Sequence, residues 1–406
     1  MSRGHRWLLL AALYLAQGLP YGFFTQALPV LLREQGLSLK AIGATSLLYL
    51  PWALKFLWAP LVDGHGTRRD WLLPLQVAST LAAAALALAD IGSGLGWLFA
   101  AVLLFNLLTA TQDIATDGLA VNLLGPRERG LGNGIQVGAY RVGMMLGGGL
   151  LLWLFARHGW TAMALVMAAM LALTIVPVLG LREAGRPRPP PASLRDELAR
   201  GWAQRLRRPG LAAFIGLIGL YKLGDSMGAA MVGPFMHDAG MSKELIAWVK
   251  GTLGSAAALA GAGLGALYAW RAGRRSALLY CGLAQTASLL PYALAAAGVG
   301  GHGLIAAGCI AEHVLGGMAT VALFTLMMDA SEPAHAGTDY TLLACALVLV
   351  QGAASILAGL VADAGGYALL FVLGLGLSGL GCLALVQALD RGHGPRRLAE
   401  VWPPRA

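Results

Sequence analysis

Asp113 and Asp117 stand four residues apart in an otherwise apolar run from Trp97 to Leu124, and Arg141 stands inside the apolar run that follows. A charged side chain near the centre of a bilayer costs roughly 2.5 to 3.5 kcal/mol on insertion scales, so such residues face a bundle interior or a water-filled path. Paired carboxylates can share a proton, which opens the chemistry of an intramembrane aspartyl hydrolase. That chemistry needs two carboxyls within hydrogen-bond reach, usually from separate segments. One helical turn apart and near an arginine, this pair suits ion pairing better.

Asn106, Asp113 and Asp117 fall at i, i+7 and i+11, on one helical face. Lys55 lies at similar depth in an earlier run, and Arg141 comes about ten residues, roughly 15 Å, into the next. Two acids and two bases are thus expected to meet, as a switch whose pairings change or as a fixed network that sets helix register. A second set comprises Lys222 and Asp225, three residues apart, with Lys250, Glu312 and His313. These are candidates for substrate contact or proton relay, against a local ion pair for the first two and plain packing for the histidine. Tyr14, Gln17, Tyr21 and Phe24 form a stripe at helical spacing, suited either to an aromatic, polar ligand or to packing.

The elements that position these residues follow from composition. The 406-residue chain is 57% hydrophobic and 12% charged, against the roughly 25% charged of a soluble domain, which excludes a soluble class. Apolar runs of about 20 residues recur twelve times, each long enough to span hydrocarbon as a helix. The net charge of +9 does not mark a nucleic-acid binder, because 21 of the 29 basic residues lie in alternate loops and at the two ends. By the positive-inside rule those loops and both termini are cytoplasmic. The N-terminal run is too long for a signal peptide and reads as a first span. Cys281, Cys309, Cys345 and Cys382 all fall in apolar runs and read as buried thiols, with neither disulfide nor metal expected.

A basic, proline-rich segment midway divides the chain into six runs and six. The expected organisation is a bundle over 1–181, a cytoplasmic linker over 182–209, a second bundle over 210–390 and a tail over 391–406. In the linker, Leu194, Leu198, Trp202 and Leu206 recur every four residues among arginines, the pattern of a helix on a membrane surface or of a solvated one. The halves repeat weakly: Gly66 in one arginine-rich loop and Gly273 in another are 207 residues apart, as are Gly130 and Gly337. Repeated halves joined by a cytoplasmic linker indicate a transporter architecture with its site near the midplane. No P-loop, nucleophile elbow or His-Glu-x-x-His motif is present, so no enzyme, cofactor or direct ATP coupling is expected.

The loop carrying Asp63, Gly66 and Arg68 resembles the cytoplasmic loop signature of the major facilitator superfamily, with Ala59, Gly64 and Thr67 departing from it. That resemblance implies an all-α fold of twelve spans in two six-helix bundles, and a loop that latches their cytoplasmic ends. The stretches 14–24, 50–63, 110–118 and 138–145 look like the AmpG group of permeases, which import muropeptides, and the related RhtX and FptX group, which import siderophores. Stretches 319–329 and 337–341 look closer to the siderophore branch, and AmpG members carry two further spans. The expectation is a proton-coupled, monomeric siderophore importer of the bacterial inner membrane, with muropeptide import as the alternative and a non-transporting sensor or hydrolase as the competitor of another class.

Overall fold

In hydrocarbon each backbone N–H and C=O must be satisfied within its own segment, so long apolar runs become helices. The computed structural model describes residues 1–34, 48–88, 95–183, 202, 205 and 207–403, and among them no strand occurs. The helices are α1 (Arg3–Leu32), α2 (50–64), α3 (Arg68–Leu86), α4 (Leu95–Leu123), α5 (129–158), α6 (160–179), α7 (Leu211–Asp238), α8 (243–272), α9 (274–296), α10 (Gly301–Ala330), α11 (336–365) and α12 (367–390). Among the described residues, six continuous helical runs are long and apolar enough to cross a membrane. Three of these run to double length and reverse at a glycine: Gly159 (φ 77°), Gly273 (φ 79°) and Gly366 (φ 78°). Only glycine adopts this left-handed backbone without strain. Gly159 and Gly366 share the 207-residue displacement of Gly66 and Gly273, all four with positive φ, so the repeat is written in the backbone as well as in the loop motif.

The chain forms two compact units. One comprises Met1–Leu123, Ile135–Trp202 and Pro333–Cys345; the other comprises Leu124–Gly134, Ala203–Glu332 and Ala346–Ala406. The first has its core where α1, α3, α4 and α6 pack through Phe23, Phe24, Phe105, Leu98 and Met167. The second has a core around Tyr292, Phe235 and Phe371, whose rings stack or meet edge-on 5.2 Å apart. Leu81, Leu173, Val176, Ile356, Leu360 and Leu380 are each more than 60% exposed, an apolar exterior fit for lipid. Of the linker, Leu194, Leu198 and Leu206 lie outside the described residues, while Trp202 meets Phe56 edge-on at 5.7 Å.

By the resemblance, helices 2, 5, 8 and 11 meet between halves, and the glycines of helices 5, 8 and 11 are expected to let one half rock on the other. Within each unit these glycines have the following neighbours. Gly143 and Gly147 abut the α1 backbone at Leu15 and Leu19, while Gly261 and Gly265 abut α10 at Val314 and Met318. A Cβ added at Gly352 or Gly359 of α11 would meet nothing within 4 Å among the described residues. Small residues admit such backbone contact because lipid supplies no hydrophobic force between helices. A side chain at Gly147 would collide with the Leu19 carbonyl. Gly147→Ala should lower the thermal stability of the solubilised protein by about 1–3 kcal/mol. Gly149→Ala, with open space at its Cβ, should not; equal melting shifts would contradict the contact.

Candidate functional site

Pro51 and Pro60 each open a helical piece of α2, and a 3-10 turn at Lys55–Leu57 lies between the two pieces. Irregular backbone at membrane depth persists only where protein or a water-filled cavity covers it. Here it delivers Lys55, which forms a buried ion pair with Asp113 and lies 5.2 Å from the Trp52 ring centroid. Trp52 Nε1 donates to Asn106 at 3.0 Å, so the α4 face read from the sequence is answered by α2.

Asp117, one turn on, is held differently. It accepts from the Tyr14 hydroxyl at 3.0 Å and from the Gln136 amide at 3.4 Å, and Tyr340 in turn donates to Gln136 at 3.4 Å. All four are buried, and they tie α1, α4, α5 and α11 into one chain of neutral donors ending on a carboxylate. The sequence offered Arg141 as a buried partner for the pair. The structure leaves Arg141 half-buried, and the α5 side chain hydrogen-bonded to Asp117 is Gln136.

Above this chain, Tyr21 is the hub of an aromatic group: Tyr140 at 5.7 Å, Trp52 at 5.9 Å and Tyr49 at 6.0 Å between ring centroids. Gln17 lies on the same α1 face and is 1% exposed. Of the other stripe residues, Phe24 packs into the core against Phe105.

The loop motif forms a capped corner. Asp63 pairs with Arg68, which is 1% exposed, and also accepts from the backbone N–H of Gly337 at 3.2 Å and of Thr338 at 2.5 Å. A carboxylate at the first turn of α11 satisfies donors that have no intrahelical partner and complements the helix dipole. Gly66 supplies the positive φ that turns the chain toward Thr67, whose side chain and Asp70 form a reciprocal capping box for α3.

A further network was not foreseen. Asp329 is fully buried and accepts from Arg129 at 2.7 Å and Arg274 at 2.6 Å. Next to it Glu332 receives Arg205 at 2.9 Å and Arg208 at 2.5 Å, and Arg397 donates to the Ser331 carbonyl at 2.5 Å. Burial, with Arg129 adding to it, lowers the Arg397 pKa. These arginines read as loop charge, yet an acid closing an apolar run next to an arginine-rich loop was the available signal.

In the second unit Lys222 and Asp225 pair locally at 2.6 Å, Lys250 reaches Gly233 on α7, and Glu312 accepts from Tyr292 at 3.2 Å. Cys309, Glu312 and His313 offer donor atoms within 4.8 Å of one another, a set that could hold a metal ion. His313 Nδ1 hydrogen-bonds the Cys309 carbonyl at 2.8 Å and lies 3.4 Å from the Glu312 carboxylate.

The sequence pattern of the Major Facilitator Superfamily matches residues 10–347, and the chain belongs to that family. It is a multi-pass membrane transporter rather than an enzyme. It is 30% identical to the anhydromuropeptide permease of Escherichia coli K12 over 93% of this chain and 78% of that protein. It is 32% identical to an uncharacterized protein of Haemophilus influenzae over 92% of each. Among solved structures, the E. coli fucose:proton symporter FucP shares the fold, with a TM-score of 0.72, 12% identity and 94% of this chain covered.

Lys55→Met or Asp113→Leu alone should each cost about 3–5 kcal/mol by leaving a buried charge unmatched, and the double variant less than either. Thermal unfolding of the three purified variants measures this coupling. Simple additivity would show that the pair contributes nothing.

Proposed function

We propose that the chain imports a muropeptide-type solute from periplasm to cytoplasm across the bacterial inner membrane. It does so as a monomer crossing the membrane twelve times, with both termini cytoplasmic. The observation that carries this reading is the 30% identity to a muropeptide permease along 93% of the chain. The siderophore expectation rested on two short second-half stretches and on the two further spans of AmpG members; an identity spanning both halves supports the muropeptide reading better. The positive-inside distribution of arginines supports the topology, and the repeat at 207 residues supports two six-helix halves.

Alternating access gives the two cytoplasmic networks a role. Asp63 on Gly337 and Thr338, and Asp329 on Arg129, join loops of one sequence half to helices of the other. Each is made and broken as the cytoplasmic ends close and part. Asp113, neutralised by Lys55, serves as a fixed charge pair. Asp117 is the proton carrier: its hydrogen bonds come from neutral groups, so binding a proton removes a buried charge without orphaning a cation. It is faced by Tyr14 from α1, Lys55 from α2, Gln136 from α5, and Tyr340 and Cys345 from α11.

Cells lacking their own muropeptide permease should accumulate labelled anhydromuropeptide when they express this protein, and should not gain uptake of labelled siderophores. Siderophore uptake without muropeptide uptake would reverse the assignment. Wild-type uptake should rise when the outside is acidified, whereas Asp117→Asn should retain little uptake and no response to the pH gradient. An Asp117→Asn protein that still accelerates on acidification rejects Asp117 as the carrier.

A further inference from the structure

Resting on the muropeptide reading, we propose that Tyr21, Tyr49, Trp52 and Tyr140, with Gln17, form a subsite that stacks an N-acetylated sugar ring and hydrogen-bonds its hydroxyl and amide groups. The four rings are half-buried, so they are neither sealed in the core nor turned to lipid, unlike Phe23, Phe24 and Phe105 on the same bundle. They converge on Tyr21 from α1, α2 and α5 at centroid distances of 5.7 to 6.0 Å with interplanar angles of 47° to 77°. Tilted and edge-on rings form walls rather than a closed stack, leaving faces that can receive the C–H side of a pyranose.

Two polar groups mark the same place. Both amide atoms of Gln17 lack a hydrogen-bond partner among the described residues although the residue is 1% exposed, and the buried Tyr49 hydroxyl likewise lacks one. An unsatisfied buried amide costs roughly 1–3 kcal/mol, a cost a ligand bearing donors and acceptors removes. Lys55 is committed to Asp113. What the group offers is aromatic faces, an amide and phenols, the chemistry that receives a neutral sugar.

The test is binding and uptake with three probes: the anhydromuropeptide, its disaccharide without peptide, and its free peptide. Wild type should bind the first two and not the third. Tyr21→Leu should raise the KM for anhydromuropeptide roughly tenfold, with kcat and melting temperature little changed, and Tyr21→Phe should restore it. Tyr49→Phe and Gln17→Leu should weaken disaccharide binding without loss of stability. Free peptide competing as well as the disaccharide, or a Tyr21→Leu variant with unaltered KM, would overturn the subsite while leaving muropeptide transport standing. Failure of wild type to move any muropeptide would instead overturn the function on which it rests.

Discussion

A charge that cannot reach water has to be answered inside the protein, and that constraint orders most of this molecule. In an apolar surrounding an unpaired ion is far costlier than a paired one, and removal of one partner costs more than removal of both. The described interior obeys this with different solutions at different depths. Lys55 and Asp113 neutralise each other; Asp63 is shared between a guanidinium and the N-terminus of α11; Asp329 takes two arginines. Asp117 alone of the four acids is satisfied through a phenol and an amide. The two carboxylates on one face of α4 are thus unequal because of what α1, α2 and α5 place against them.

That inequality was beyond the reach of the sequence, whereas much else was within it. Helical spacing sufficed to put Asn106, Asp113 and Asp117 on one inward face, and comparable depth sufficed to bring Lys55 to it. The three-residue spacing of Lys222 and Asp225 was enough for a local pair. What decides between Arg141 and Gln136 as the α5 residue facing Asp117 is the rotation of α5 about its own axis, and rotation is set by backbone contact. Gly18 and Gly22 of α1 press on Tyr140 and Met144, while Gly143 and Gly147 press on α1. Glycine enrichment along α5 was visible in the chain, but the direction it faces is a property of the assembled bundle. The same gap hid Asp329: an acid 200 residues from Arg129 has no local signature of its partner.

The repeat shows which features the backbone requires and which the chemistry can vary. Gly159 and Gly366 take the same left-handed turn at equivalent positions, and Gly66 and Gly273 do so as well, because a reversal between two antiparallel helices tolerates few other residues. The charges do not repeat. Asp63 caps α11 at Gly337, and the equivalent of that meeting is Trp270 beside Gly130, where the Gly130 Cβ position lies 3.6 Å from the Trp270 nitrogen and 3.3 Å from Ala269 Cβ. One corner is held by a carboxylate on a helix end, the other by close apolar packing with Asp329 and its arginines alongside. Under the proposed alternating access, a carboxylate held on backbone N–H groups would be released as α11 moved off it, with water taking over both sets of hydrogen bonds. A buried acid bound to Arg129 and Arg274 stays paired with one of them when the other leaves. In the alternating access proposed above, the two corners would therefore be unequal latches: the first is the easier to open, and the second keeps its acid paired with one arginine while the other leaves.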